Sequence, residues 1–141
     1  MAQQYPDWIW QNGAIKPWQE ATTHVMAHAL HYGSSVFEGI RSYATPDGAA
    51  IFRLTDHLKR LYQSAKIYDM VVPYSQDELA AACREVVRKN GLSAAYLRPV
   101  AYRGLGGFGL SAETPIDVAV AAWPMGPYLG PEALENGIDA C

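Results

Sequence analysis

The run His28-Ala29-Leu30-His31-Tyr32-Gly33-Ser34-Ser35-Val36-Phe37-Glu38-Gly39-Ile40-Arg41 crowds imidazoles, a phenol, hydroxyls, a carboxylate and a guanidinium among apolar residues. That mixture suits a small charged ligand, and an amphipathic helix with a polar face is the alternative that periodicity leaves open. Further on, Tyr96 and Arg98 stand two residues apart in an extended pattern, so they share one strand face and offer a phenol and a cation to one anion, such as a carboxylate. The bland alternative is a surface aromatic–cation pair of little energetic weight. Other chemistries are not supported. His28 and His31 are three apart, but no nearby carboxylate or thiol completes a metal site, so no metal is expected. Cys83 and Cys141 form no CxxC pair, and Cys83 sits in an apolar helical pattern as a small core residue. Gly104 to Gly109 follows neither the dinucleotide nor the P-loop pattern, and no strand–nucleophile–helix elbow surrounds Ser34-Ser35.

These residues need a scaffold. Asn12-Gly13 between Trp8–Trp10 and Ala14–Trp18 predicts an N-terminal hairpin, and Pro46-Asp47-Gly48 predicts a second one joining 41–43 to 50–54. Thr55 is placed to cap a helix carrying Leu58, Leu61, Ala65 and Tyr68. Ser75-Gln76-Asp77-Glu78 fits a capping box for a helix over about 77–90, with Gly91 ending it. A strand over 95–102 contains Pro99, which argues for an edge or bulged position. The almost uniformly apolar 117–123 segment reads as a strand covered on both faces, and a short helix is expected around 132–136. The four glycines of 104–109 predict a mobile or tightly turning loop. Together these elements predict an α+β fold, a mainly antiparallel sheet flanked by helices.

A chain of 141 residues, half of them hydrophobic and 18% charged, suits one globular core. Its net charge of −3 gives no electrostatic case for nucleic acid or an anionic membrane. No run approaches the ~20 apolar residues of a membrane span, and the start MAQQYPDW lacks signal-peptide character, so a cytoplasmic protein is expected.

With the His28–Arg41 run, Trp8 to Gly13, HLKRLYQSAK (57–66), Tyr96-Leu97-Arg98-Pro99, and Tyr128-Leu129-Gly130 through Asn136 to Ala140, the chain resembles branched-chain amino-acid aminotransferases of the fold-type IV group in order and approximate spacing. The resemblance implies the small N-terminal domain of the D-amino-acid aminotransferase-like fold over 1–124, an interdomain loop and short helix over 125–136, and the start of a large domain over 137–141. It implies pyridoxal 5'-phosphate as cofactor, with Arg60 on its phosphate. It implies branched-chain amino acids and glutamate/2-oxoglutarate as substrates, met by Tyr32, Phe37, Tyr96, Arg98, Leu110 and Tyr128, with Tyr32 and Leu110 reaching a partner subunit's pocket in a homodimer or higher homo-oligomer. Read without the resemblance, Arg60 is a solvated helix arginine, and the pocket residues are core or interface packing. Glu38 and Arg41 are expected to pair and shape the turn at Gly39. Met125 stands where many bacterial members carry tryptophan, which softens the pocket wall. None of Lys16, Lys59, Lys66 and Lys89 matches the family's Schiff-base motif, so that lysine is expected beyond Cys141 and the isolated chain is expected to be inactive. The alternatives are another fold-type IV enzyme, a D-amino-acid aminotransferase or aminodeoxychorismate lyase, and a non-catalytic binding or dimerisation module.

Overall fold

The computed structural model describes residues 5–126 and 131–138. In chain order it contains β1 (Trp8–Gln11), β2 (Ala14–Pro17), a 3-10 turn (Trp18–Glu20), α1 (His28–Tyr32), β3 (Ser35–Phe37), β4 (Ile40–Thr45), β5 (Gly48–Ile51), α2 (Leu54–Ile67), α3 (Gln76–Lys89), β6 (Ala95–Arg103), β7 (Ile116–Trp123) and α4 (Pro131–Asn136). The sheet runs β2-β1-β7-β6-β4-β5, with β3 also paired to β6, and each described pairing is antiparallel. This is the predicted α+β class.

Local chemistry explains most element ends. Asn12 and Gly13 take φ of 50° and 91°, which lets β1 turn into β2 over two residues. Ser75 and Glu78 form a complete capping box, and Gly91 takes φ of 62° just past the helix end. The start of α2 differs from expectation. The helix begins at Leu54, with Arg53 in the left-handed region (φ 47°) and no side-chain cap. Only Phe52 and Arg53 link β5 to the helix, so Thr55 already lies inside the first turn, and Asp56 and His57 N–H groups bond the Arg53 carbonyl at 3.0 and 3.1 Å.

The core lies between one sheet face and α2 and α3. Ile40, Leu58, Leu61, Leu79 and Leu97 are at most 1% exposed, and burying each stabilises the fold by about 1.5–3 kcal/mol. Cys83 joins them at 0% exposure, and burial pushes its thiol up to about 12, so it packs as a small apolar residue.

The strands of the sheet correct one expectation and narrow another. Along β7, Val118, Val120 and Ala122 are buried while Ala119, Ala121 and Trp123 are only half-buried, so α2 and α3 cover one face and not both. Pro99 lies in an interior strand, between β7 and the β3/β4 side. Its carbonyl accepts from Glu38 N–H at 3.0 Å, so its nitrogen faces the same flank, at Glu38-Gly39 where β3 gives way to β4. The missing N–H falls at the break in the ladder, the bulge-like position that a strand proline tolerates.

Candidate functional site

Strand alternation on β6 puts Ala95, Leu97 and Ala101 into the core and turns Tyr96, Arg98, Val100 and Tyr102 to the open face. There the Arg98 Nη2 donates to the Tyr96 hydroxyl at 2.8 Å. The guanidinium carbon stands 4.2 Å from the Phe37 ring centroid and 5.2 Å from that of Tyr96. Arg98 Nε is buried without a partner. A guanidinium carries five N–H donors, and this one is stacked and tethered without being neutralised by an acid among the described residues. Beside it opens a cavity of about 360 Å³ whose floor includes Val100, Ala119 and Ala121 and whose rim includes Arg98, Gln11 and Tyr102. Such a surface holds an anionic group on a cation and an aliphatic group on apolar walls.

The β3–β4 break shapes this site. A Cβ on Gly39 would stand 3.0 Å from Tyr96 Cζ, 3.2 Å from Cε2 and closer still to the hydroxyl, so only glycine lets the phenol reach Arg98. Next to it, Glu38 is 4% exposed and turns towards α2. Its carboxylate accepts from Arg60 Nε and Nη2 at 2.5 Å each and from His57 Nδ1 at 2.9 Å. Burial pulls the Glu38 carboxyl up, but the Arg60 and His57 hydrogen bonds and charges together outweigh it and hold it below the usual carboxylate range. The same pairing raises Arg60 above its ordinary value. The expected Glu38–Arg41 pair does not form, and Arg41 Nη1 instead donates to the Gly126 carbonyl at 3.3 Å. Parity explains the difference: Val36, Glu38 and Ile40 face the helices, whereas Arg41 pairs opposite Tyr96 on the open face.

A third group lies at α1. His28 is buried between Ser34 Oγ (2.7 Å from Nδ1) and the Gly109 carbonyl (2.9 Å from Nε2), tying α1 to the glycine-rich loop. That loop turns tightly, with the Gly107 N–H bonded to the Glu113 carbonyl at 3.3 Å and the Ala112 N–H to Gly109 at 3.2 Å. Tyr32 packs on His28 and Phe108, at centroid distances of 4.4 and 5.5 Å. Leu110 is 89% exposed. Among the described residues no cluster of three metal-ligating side chains occurs, and no helix is long and apolar enough to cross a membrane.

Residues 35–139 match the model of the amino-transferase class IV family. The chain belongs to that family. Among relatives of this aminotransferase family chain, the branched-chain-amino-acid aminotransferase of Escherichia coli is 54% identical over 136 residues, 95% of this chain and 44% of that protein. That of Pseudomonas aeruginosa is 51% identical over 131 residues, covering 92% and 43%. The crystal structure of the Escherichia coli enzyme superimposes with a TM-score of 0.92 at 52% identity, covering 95% of this chain and 45% of that one. The branched-chain amino acid aminotransferase of the thermophilic archaeon Thermoproteus uzoniensis, solved with norvaline, gives a TM-score of 0.82 at 41% identity, covering 87% and 42%. The class IV chain therefore spans less than half the length of the curated relatives it matches.

Of the residues singled out in the sequence, Phe37, Tyr96 and Arg98 form one contact group on the open face. Arg60 stands apart from it, on a polar cavity of about 340 Å³ shared with Arg53, Asp56 and His57. Tyr32 joins the His28–Phe108 cluster, Leu110 follows the tethered Gly109, and Tyr128 lies outside the described residues. Of the expected large-domain start over 137–141, residues 139–141 also lie outside them. Glu38, Gly39 and His57 were missed as site residues, and so was the pairing of Glu38 with Arg60. Inward parity at 36, 38 and 40, with His57 and Arg60 three apart on α2, is the signal that could have joined them.

Proposed function

We propose that this chain is the N-terminal part of a pyridoxal-phosphate-dependent branched-chain amino-acid aminotransferase, exchanging amino groups between leucine, isoleucine or valine and glutamate/2-oxoglutarate. The observation that carries it is Arg98, gripped by Tyr96 over Phe37 beside an apolar floor. A transaminase must seat an aliphatic side chain and an acidic one in the same pocket, and that needs apolar walls with a cation at the rim. Arg98 takes the side-chain carboxylate of glutamate and Tyr96 the α-carboxylate. Phe37, Tyr32, Leu110 and Tyr128 line the pocket, with Tyr32 and Leu110 serving the neighbouring subunit of a homodimer. The small domain occupies 1–124, the interdomain loop and short helix 125–136, and the large domain opens at 137. A cytoplasmic location belongs to the same proposal.

The residues present fit the cofactor. Arg60 has donors left over after pairing with Glu38, on an exposed polar cavity of phosphate-admitting size. When bound, pyridoxal phosphate accepts the amino group from a donor and delivers it to an oxo acid. Lys59 and Lys66 lie exposed on α2, Lys89 stands 4.5 Å over the Trp8 ring, and Lys16 reaches Gln11 at 3.4 Å, so we assign the Schiff-base lysine to none of these four. In the full-length protein, Arg98→Ala is expected to raise KM for glutamate and 2-oxoglutarate at least about tenfold, as loss of a charge-assisted contact predicts, and to change KM for leucine much less. Equal losses for both substrates would refute the assignment.

A further inference from the structure

Three consecutive residues at the β3–β4 break do different work. Phe37 lies under the Arg98 guanidinium, Gly39 makes room for the Tyr96 ring, and Glu38 between them faces the other way, into α2. Glu38 is anchored to the sheet by its own backbone, because its N–H donates to the Pro99 carbonyl at 3.0 Å, next to Arg98 in sequence. Its carboxylate is fixed on both oxygens, Oε1 by Arg60 Nε and Oε2 by Arg60 Nη2 and His57 Nδ1.

A guanidinium has two forked edges, the side edge of Nε and Nη2 and the end edge of Nη1 and Nη2. Glu38 occupies the side edge of Arg60. On the end edge Nη1 makes no hydrogen bond among the described residues and Nη2 keeps a second N–H beyond the one given to Glu38, and the side chain is 64% exposed beside the cavity lined by Arg53, Asp56 and His57. An exposed arginine held by nothing would lose its rotamer freedom on meeting an anion; Arg60 has lost it already.

We propose that Glu38 is the positioning residue of the phosphate site. It grips Arg60 by one edge so that the other meets the cofactor phosphate, and its place between Phe37 and Gly39 sets that edge in register with the Tyr96–Arg98 carboxylate site. The proposal rests on the aminotransferase reading and assigns Glu38 no contact with the cofactor itself. One short backbone segment then fixes the distance between the two anion sites, so that a substrate carboxylate and a cofactor phosphate are held at matched positions.

The test measures cofactor binding and not turnover. Apo forms of the full-length protein are titrated with pyridoxal 5'-phosphate and, separately, with pyridoxal, following tryptophan fluorescence. Glu38→Gln leaves one oxygen where two are needed and sets an amide N–H against the guanidinium. It is expected to weaken pyridoxal 5'-phosphate about tenfold, the loss of one charge-assisted contact, and pyridoxal less than about twofold. Equal weakening of both ligands, or of neither, overturns the proposal. Arg60→Ala separates the two levels. If it leaves pyridoxal 5'-phosphate affinity unchanged, the phosphate assignment itself fails; if it weakens binding while Glu38→Gln does not, only the positioning role fails. Should Glu38→Gln not fold, Arg60→Lys on the exposed helix surface keeps the charge but cannot offer two edges. It is expected to lose pyridoxal 5'-phosphate affinity nearly as Arg60→Ala does, and wild-type affinity in Arg60→Lys overturns the proposal.

Discussion

Replacing Gly39 with alanine adds one methyl group in the space occupied by the Tyr96 ring. Gly39 is not in the left-handed region, so alanine brings no backbone strain and the effect is steric alone. The new Cβ would lie 3.0 Å from Tyr96 Cζ. Restoring an ordinary carbon–carbon contact of ~3.5 Å requires the ring to withdraw by about half an ångström, and its hydroxyl by more. The ring has little room, since Trp123 packs against it at a centroid distance of 5.1 Å and Arg98 is bonded to its hydroxyl at 2.8 Å. Overpacking of this kind costs about 1–3 kcal/mol. Urea unfolding of Gly39→Ala is therefore expected to show that loss against wild type. In a Tyr96→Ala background the obstruction is gone, and the same substitution should be neutral or stabilise by up to about 1 kcal/mol through the unfolded chain. The double-mutant cycle then gives a coupling of about 1–4 kcal/mol between two residues far apart in sequence. An equal cost in both backgrounds would refute the argument that Gly39 exists to seat Tyr96.

Acid sensitivity follows from Glu38. Its carboxyl is held below the ordinary value of about 4.3, so the unfolded chain takes up the proton first, and the stability it contributes is full above that value and lost as pH falls through the lower native one. Urea midpoints from pH 6 down to pH 3 should fall, and Glu38→Gln should flatten the slope; an unchanged slope would show that other carboxylates carry it. Ser75→Ala removes the capping box of α3, with an expected loss of about 1 kcal/mol read by the same unfolding assay; a change within error would mean that packing of Leu79 and Val86 alone sets the helix start.

Features decided by neighbours in sequence were legible. The Asn12-Gly13 turn, the Ser75–Glu78 box, the Gly91 stop and the outward row Tyr96, Arg98, Val100 and Tyr102 each follow from residue type and short spacing. Features decided by register were not. An apolar run such as 118–123 reads the same whether one face or both are covered, and only the packing shows Ala119 and Ala121 half-buried, away from α2 and α3. Pro99 is tolerated inside the sheet because β3 and β4 part opposite it, a fact about three other segments. Glu38 drew a partner from 22 residues away in α2 instead of from Arg41. Local charge spacing favoured the near partner, and strand parity excluded it.

Parity also explains why the site is rigid without being buried. A strand has a side-chain period of two, so a slip of one residue in β6 would send Tyr96 and Arg98 into the core and Leu97 to the surface. Ala95, Leu97 and Ala101, at 1%, 0% and 0% exposure against α2 and α3, forbid that slip. The inward residues thus fix the outward ones, and the same holds at β3–β4, where buried Val36 and Ile40 bracket the Phe37-Glu38-Gly39 segment. Truncating an outward residue such as Phe37, which is 56% exposed, removes a contact to Arg98 and little else. Truncating Leu97 opens a cavity beneath the strand that carries Arg98, at about 2–5 kcal/mol, and frees its register as well. The position of the Arg98 guanidinium is specified chiefly by side chains on the far side of the sheet, which never touch it.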